Sequence, residues 1–257
     1  MEILPSVISP TLHWEFMKKH SSLTLKAIYF KEFAFIPHIL KEIYIDMVYD
    51  KYLRNKKDLV ILDLGAHVGM FSMYAAYYAK QIYAVEPSMV HFDALKALVI
   101  HNKLPVKVIN AAISNVNKKR PLFHIDPKGD EFQPTAYNLM GGSMEGAEMV
   151  DCITMDKLFK DHKIEQVDFC KMDIEGSEFE VIAGEGFRKV ADKIKIIFGE
   201  LHYFAGRNHN QIKQALDSYG FETKFIINGK EVNEIDYDAD KNSTWGENAL
   251  MFVGRKL

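Results

Sequence analysis

The side chains best suited to chemistry fall in a few short segments. In Asp63-Leu64-Gly65-Ala66-His67-Val68-Gly69, Gly65 permits a tight turn and lets a ligand approach the backbone with no Cβ in the way. Gly69 permits close packing of a helix against a strand. The spacing is Gly-x-x-x-Gly, not the Gly-x-Gly-x-x-Gly of a dinucleotide site. Asp63 beside the turn offers a pyrophosphate little, whereas a cationic centre tolerates it. Glu86 follows 21 residues after Gly65. An acid at about that distance suits a ribose, whose two hydroxyls can both donate to one carboxylate. Asn110 could hydrogen-bond a base or simply end its strand. Farther on, Asp173, Glu175 and Glu178 crowd three carboxylates into six residues. The helix dipole favours an acid such as Glu178 in a first turn, but Asp173 should project from a strand end. Glu200-Leu201-His202 places a carboxylate and an imidazole at the end of another strand.

Alternating strands and helices must position these residues. Apolar runs predict strands at 59–62, 81–85, 105–109, 167–172, 193–201, 221–227 and 249–253, with another near 149–153. Helices are predicted at 69–79, 88–102, 154–161, 177–184 and 208–219. Continuous apolar strands between helices imply an α/β fold with a parallel sheet covered on both faces. Such a sheet binds ligands at the carboxyl ends of its strands, where Gly65, Glu86, Asn110 and Asp173 fall. Residues 120–150 carry Pro121, Pro127, Gly129, Pro134, Gly141, Gly142 and Gly146. They read mostly as a long loop, a functional lid or a mobile segment by its length, with room for a small hairpin. Residues 32–53 carry apolar positions at helical spacing, and residues 1–31 read as an irregular lead. The expected organisation is an N-terminal helical appendage at 1–55 and a cofactor-binding domain at 56–257.

A net charge of −3 and the lack of a basic block give no sign of nucleic-acid binding. Cys152 and Cys170 lie in apolar segments without metal-type spacing, as buried thiols in a reducing compartment do. No apolar stretch reaches the length of about 18 residues that a membrane span needs, and the first residues do not form a secretory signal. A cytoplasmic protein is expected.

Taken together, these segments resemble the FkbM family of methyltransferases. The resemblance rests on 63–72 (Asp-Leu-Gly-Ala-His-Val-Gly-Met-Phe-Ser), Val85-Glu86-Pro87, Asn110-Ala111-Ala112-Ile113-Ser114, 171–178 (Lys-Met-Asp-Ile-Glu-Gly-Ser-Glu) and Glu200-Leu201-His202. It covers about residues 59 to 225. It implies a Rossmann-like, seven-stranded methyltransferase sheet, mostly parallel with an antiparallel last strand. It also implies S-adenosylmethionine as cofactor and methylation of a hydroxyl on a sugar or secondary metabolite. Asp63, Gly65, Ala66, His67 and Gly69 would line the methionine end. Glu86 and Pro87 would hold the ribose, and Asn110 and Ala111 would flank the adenine, with Asp173 beside the reacting centre. His67 departs from the family pattern, where many relatives carry Asn.

Methyl transfer to an alcohol needs in-line positioning and a group that takes the hydroxyl proton. Asp173 or His202 is the expected acceptor, with Glu200 orienting the imidazole. No metal ligand is assigned, although Asp173, Glu175, Glu200 and His202 form the set a metal-assisted variant would use. Two rival readings are a nicotinamide-dependent oxidoreductase, which the missing glycine fingerprint disfavours, and a non-catalytic nucleoside-binding module. The expected partner is a small-molecule or sugar acceptor. Tyr137, Tyr203 and the segment around Gly141 and Gly142 are candidates to shape its pocket.

Overall fold

The computed structural model describes residues 39, 41–124, 137–202, 208–227, 229–235 and 250–257. The strands are β1 (Leu59–Leu64), β2 (Ala79–Val85), β3 (Val106–Ile109), β4 (Ala112–Ile113), β5 (Lys119–His124), β6 (Tyr137–Asn138), β7 (Glu148–Ile153), β8 (Phe169–Met172), β9 (Ile196–Leu201), β10 (Phe221–Ile227), β11 (Lys230–Val232) and β12 (Leu250–Lys256). The helices are α1 (Asp50–Leu53), α2 (Met70–Ala75), α3 (Met89–Asn102), α4 (Met155–His162), α5 (Glu178–Ile182), α6 (Glu185–Arg188) and α7 (Asn210–Ser218).

The main sheet has the order β11-β10-β12-β9-β8-β1-β2-β3. β1 pairs in parallel with β2 and β8, β2 with β3, and β8 with β9. β12 enters antiparallel between β9 and β10. The mostly parallel α/β sheet with an antiparallel last strand is therefore present, with eight strands and not seven. The extra strand, β11, forms a hairpin with β10 across a turn in which Gly229 has φ +73°. Its signal in the sequence was Asn228-Gly229 after the apolar run ending at Ile227, a dipeptide that marks tight hairpins.

Register aligns the carboxyl ends. Leu64 is level with both Val85 and Met172, Val85 with Ile109, and Met172 with Gly199. The residues that follow these strands therefore emerge along one edge. Side chains alternate between the two faces. Leu62, Cys170, Ile197 and Phe252 join the core on one face. Ile61, Phe169, Phe198 and Val253 join the core on the other. Two residues on from the first three of these, Asp63, Lys171 and Glu200 share that second face.

Tyr49, Tyr52 and Phe71 cover the second face, with Tyr49 4.6 Å from Phe71 and 5.1 Å from Phe198 between ring centroids. Each such ring pair contributes about 0.5–1.5 kcal/mol beyond its buried area. The chain carrying Tyr49 is not the single helix expected over 32–53. Where described, it is a π-helical turn at Lys41–Ile45, a left-handed Met47 (φ +53°) and then α1. This break turns Tyr49 and Tyr52 onto the sheet. Residues 1–38 and 40 lie outside the described residues.

Two further expectations change. The helix from 69 ends at Ala75, because Leu59 N–H takes the Tyr78 carbonyl at 3.0 Å and pulls the chain into β2. The segment 120–150, expected to be mostly loop with room for a small hairpin, contributes strands to a second sheet. There β5, β6 and β7 join β4 in the order β4-β7-β5-β6, built on Leu122, Leu139, Val150 and Cys152. Residues 125–136, with Pro127, Gly129 and Pro134, lie outside the described residues. Arg120 ties this sheet to α5 through Glu180 at 2.6 Å. Both cysteines are free and buried. Among the described residues no helix is long and apolar enough to cross a membrane.

Candidate functional site

The turn after β1 is held by backbone. Gly65 and Ala66 N–H both donate to the Val85 carbonyl at 3.0 Å. Gly65 has φ +74°, and a Cβ there would overlap the Asp173 carbonyl oxygen. Only glycine satisfies both demands. His67 is also left-handed (φ +52°), a conformation that costs a non-glycine residue of order 1–3 kcal/mol. Its compensation is visible: His67 N–H donates to Glu86 Oε2 at 2.8 Å. Gly69 (φ +91°) brings the start of α2 against Leu95 and Leu98. Its close partner is thus α3, where the sequence suggested a strand.

Glu86 sits just past β2 and is 4% exposed. Its Oε1 accepts from Ser88 N–H at 2.9 Å and lies 3.6 Å from His91 Nδ1. Two backbone donors fix the carboxylate, and about half of its roughly four lone-pair sites remain for other donors. Asn110, just past β3, donates through Nδ2 to the Glu86 and Pro87 carbonyls at 3.0 Å each. Its amide clamps the two strand ends and leaves Oδ1 to offer a base. Ala111 beside it is buried. The His67 ring lies 4.1 Å from His91, and His91 lies 5.1 Å from Tyr137.

On the other side of the turn is a chain of buried charge. Asp63 has no exposed surface. It accepts from Ser72 Oγ at 2.6 Å and lies 3.7 Å from Lys171 Nζ. Lys171 also donates to the Gly65 carbonyl and to Asp173 Oδ2, both at 3.1 Å. Burial works against the Lys171 charge, but Asp173 and Asp63 outweigh it and hold the ammonium well above its usual range. Burial pushes the Asp63 carboxyl up despite Lys171. It also works against the Asp173 charge, but Lys171 and His202 hold that carboxyl below its usual value.

His202, just past β9, is surrounded by carboxylates. Its Nδ1 lies 3.3 Å from Glu178 Oε1. Its Nε2 lies 3.2 Å from Glu175 Oε2, 3.8 Å from Asp173 Oδ1 and 3.9 Å from Glu200 Oε1. Burial disfavours the imidazolium, yet Glu175 and Glu178 raise it well above its normal range. Glu175 and Glu200 side chains are 25% and 29% exposed but hemmed in by protein atoms. Burial first, and then the Asp173 charge against the pull of His202, puts their carboxyls at about 7 and about 8. Glu42 from the π-helical turn rises to about 7 through burial and then Asp173.

The structure brings Asp173, Glu200 and His202 together at one strand edge, as the sequence suggested. Gly65, Ala66 and His67 form the adjoining turn, with Glu86 and Pro87 just past β2 and Asn110 and Ala111 just past β3. Asp63 stands apart: fully buried, it holds Ser72 and Lys171 behind the turn. Sequence reasoning missed Lys171, although it lies inside the quoted 171–178 segment; a lysine in an apolar strand was the available signal. It also missed Glu42, whose segment was read for its apolar stripe alone. Tyr203 lies outside the described residues.

Residues 63–223 match the family model described as Methyltransferase FkbM domain. The chain is 28% identical over 175 residues to Methyltransferase sdnD of Sordaria araneosa, covering 57% of this chain and 67% of that one. It is 24% identical over 234 residues to 31-O-demethyl-FK506 methyltransferase FkbM of Streptomyces tacrolimicus, covering 77% and 87%. Among solved structures, the METTL16 MTase domain superposes with a TM-score of 0.50 at 13% identity, over 86% of this chain and 70% of that one. That likeness concerns the fold alone.

Proposed function

The chain belongs to the FkbM family of S-adenosylmethionine-dependent methyltransferases, and on that premise we propose that it methylates a hydroxyl oxygen of a sugar or small metabolite. Membership sets aside the nicotinamide-dependent and non-catalytic readings. The observation that carries the proposal is the level register of Val85, Leu64 and Met172. It puts Glu86 and Asp173 on opposite sides of the Gly65 turn.

The residues fit the cofactor's chemistry. A fixed carboxylate suits a ribose diol, and an acid-rich corner suits a sulfonium and an ammonium. S-adenosylmethionine, when bound, supplies a methyl group activated by its positive sulfur. Glu86 would grip the ribose, with Pro87 beside it, and Asn110 and Ala111 would flank the base. Gly65, Ala66 and His67 would border the methionine part, with Asp63 and Gly69 setting the turn. Asp173 would face the acceptor oxygen. As the acceptor oxygen takes the methyl group, its hydroxyl proton would pass to a carboxylate of this cluster. Asp173 is that acceptor, because the four surrounding carboxylates make His202 the cation of the cluster. His202, with Glu200, positions Asp173. Oxygen as the methylated atom is supported by the Streptomyces relative, whose name specifies a 31-O-demethyl substrate. A small-molecule partner, no nucleic acid and a cytoplasmic setting complete the reading, and the two buried thiols suit that setting.

Asp173→Asn tests the role of Asp173. Turnover should fall by about 10²–10⁴ while S-adenosylhomocysteine still binds. Full turnover in this variant would remove Asp173 from the chemistry.

A further inference from the structure

We propose that Asp173, Glu175 and His202 form a site for one hard divalent cation of the manganese or magnesium class, with Glu200 at its edge. One ligand atom from each of the three lies within 4.8 Å of the others. Around Nε2 of His202, carboxylate oxygens stand at 3.2, 3.8 and 3.9 Å. Neighbouring ligands of an octahedral ion with bonds of about 2.1 Å lie about 3 Å apart, so a small closure around a cation suffices.

The surroundings of the ring favour this use. Glu178 faces Nδ1, the carboxylate–histidine arrangement that leaves Nε2 free as a ligand and orients the ring. Without a metal, a hydrogen on Nε2 serves one of the three facing carboxylates; a cation would displace that proton, take Nε2 as a ligand and serve all three. Glu178 adds to the local excess of buried negative charge. Its side chain has no exposed surface, Ile174 N–H and His202 both meet Oε1, and Oε2 has no hydrogen-bond partner. Lys171 cannot supply the charge, because its ammonium is turned to Asp63, the Gly65 carbonyl and Asp173 Oδ2. The side chains of Asp173, Glu175 and His202 are 30%, 25% and 14% exposed, so an ion can enter from solvent. Carboxylates with a single imidazole suit manganese or magnesium better than softer metals.

The site itself stands on this cluster alone. Its role, seating the acceptor oxygen next to Asp173, rests on the O-methyltransferase reading. The test uses the full chain stripped with chelator and titrated with Mn2+ by calorimetry and electron paramagnetic resonance. One Mn2+ should bind per chain, and His202→Gln and Glu175→Gln should each weaken binding about 10–100-fold. S-adenosylhomocysteine titration of the same samples reports that each variant is folded. No saturable Mn2+ binding, or equal affinity in both folded variants, overturns the site. Mn2+ binding without S-adenosylhomocysteine binding would sink the methyltransferase reading and leave the site standing; the reverse sinks the site alone.

Discussion

The two corners of the strand edge hold their charges in opposite ways. At the Glu86 corner, one carboxylate is fixed by the backbone N–H groups of His67 and Ser88. At the Asp173 corner, Lys171 and His202 meet Asp63, Asp173, Glu175, Glu178 and Glu200 through side chains. Backbone donors give a rigid anion ready for a neutral diol. Side-chain pairs with acids in excess give a corner that gains most from an added cation, whether sulfonium, ammonium or metal. The difference matches the two ends of a cofactor that is neutral at its ribose and positive at its sulfur.

Breaking the side-chain corner should have the largest effect. Lys171→Met leaves Asp63 and Asp173 without their shared cation. Loss of one partner from a buried pair costs about 3–5 kcal/mol, so the urea midpoint should fall sharply. An unchanged midpoint would mean that Lys171 does not hold this corner. Gly65→Ala attacks the hinge between the corners. Left-handed strain and overlap with the Asp173 carbonyl should together cost about 2–4 kcal/mol, read by the same denaturation curve; a variant as stable as the parent would contradict the close approach.

Glu86→Gln sharpens the contrast, because the fold should survive while the cofactor suffers. Hydrogen bonds to a charged group are worth about 1.5–3 kcal/mol, so S-adenosylhomocysteine affinity should drop roughly 10–100-fold. Equal loss of stability and affinity would erase the distinction between the corners. The smallest effect should come from Glu231, outside both. Burial opposes its charge, but Arg255 and Lys51 hold its carboxyl at about 2, below the unfolded value of about 4.3. Its contribution is therefore present at neutral pH and lost as pH falls from about 4.5 towards 2. Glu231→Gln should flatten that part of the stability-versus-pH curve and leave cofactor binding unchanged.

Much of this was legible in the chain. The apolar runs around Ile61, Ile82, Phe169 and Phe198 read as buried strands because both sheet faces are covered. The distance from Gly65 to Glu86 is one helix and one strand, which sequence spacing measures directly. Asp173 and His202 were placed at neighbouring strand ends by the same logic. What escaped depends on long-range contact. Glu42 reaches the acid corner only because the left-handed Met47 and the π-helical turn fold that segment over the sheet, and Lys171 gains its role only once Asp63 lies across from it. Of the second sheet, β7 was expected near 149–153, whereas β5 and its pairing escaped because Pro121 and the Pro- and Gly-rich chain that follows read as loop.

The most direct measurement is a crystal structure with S-adenosylhomocysteine. The account predicts both ribose hydroxyls within hydrogen-bond distance of the Glu86 carboxylate and the sulfur directed at Asp173. A nucleoside bound elsewhere, or one whose ribose turns away from Glu86, would contradict it.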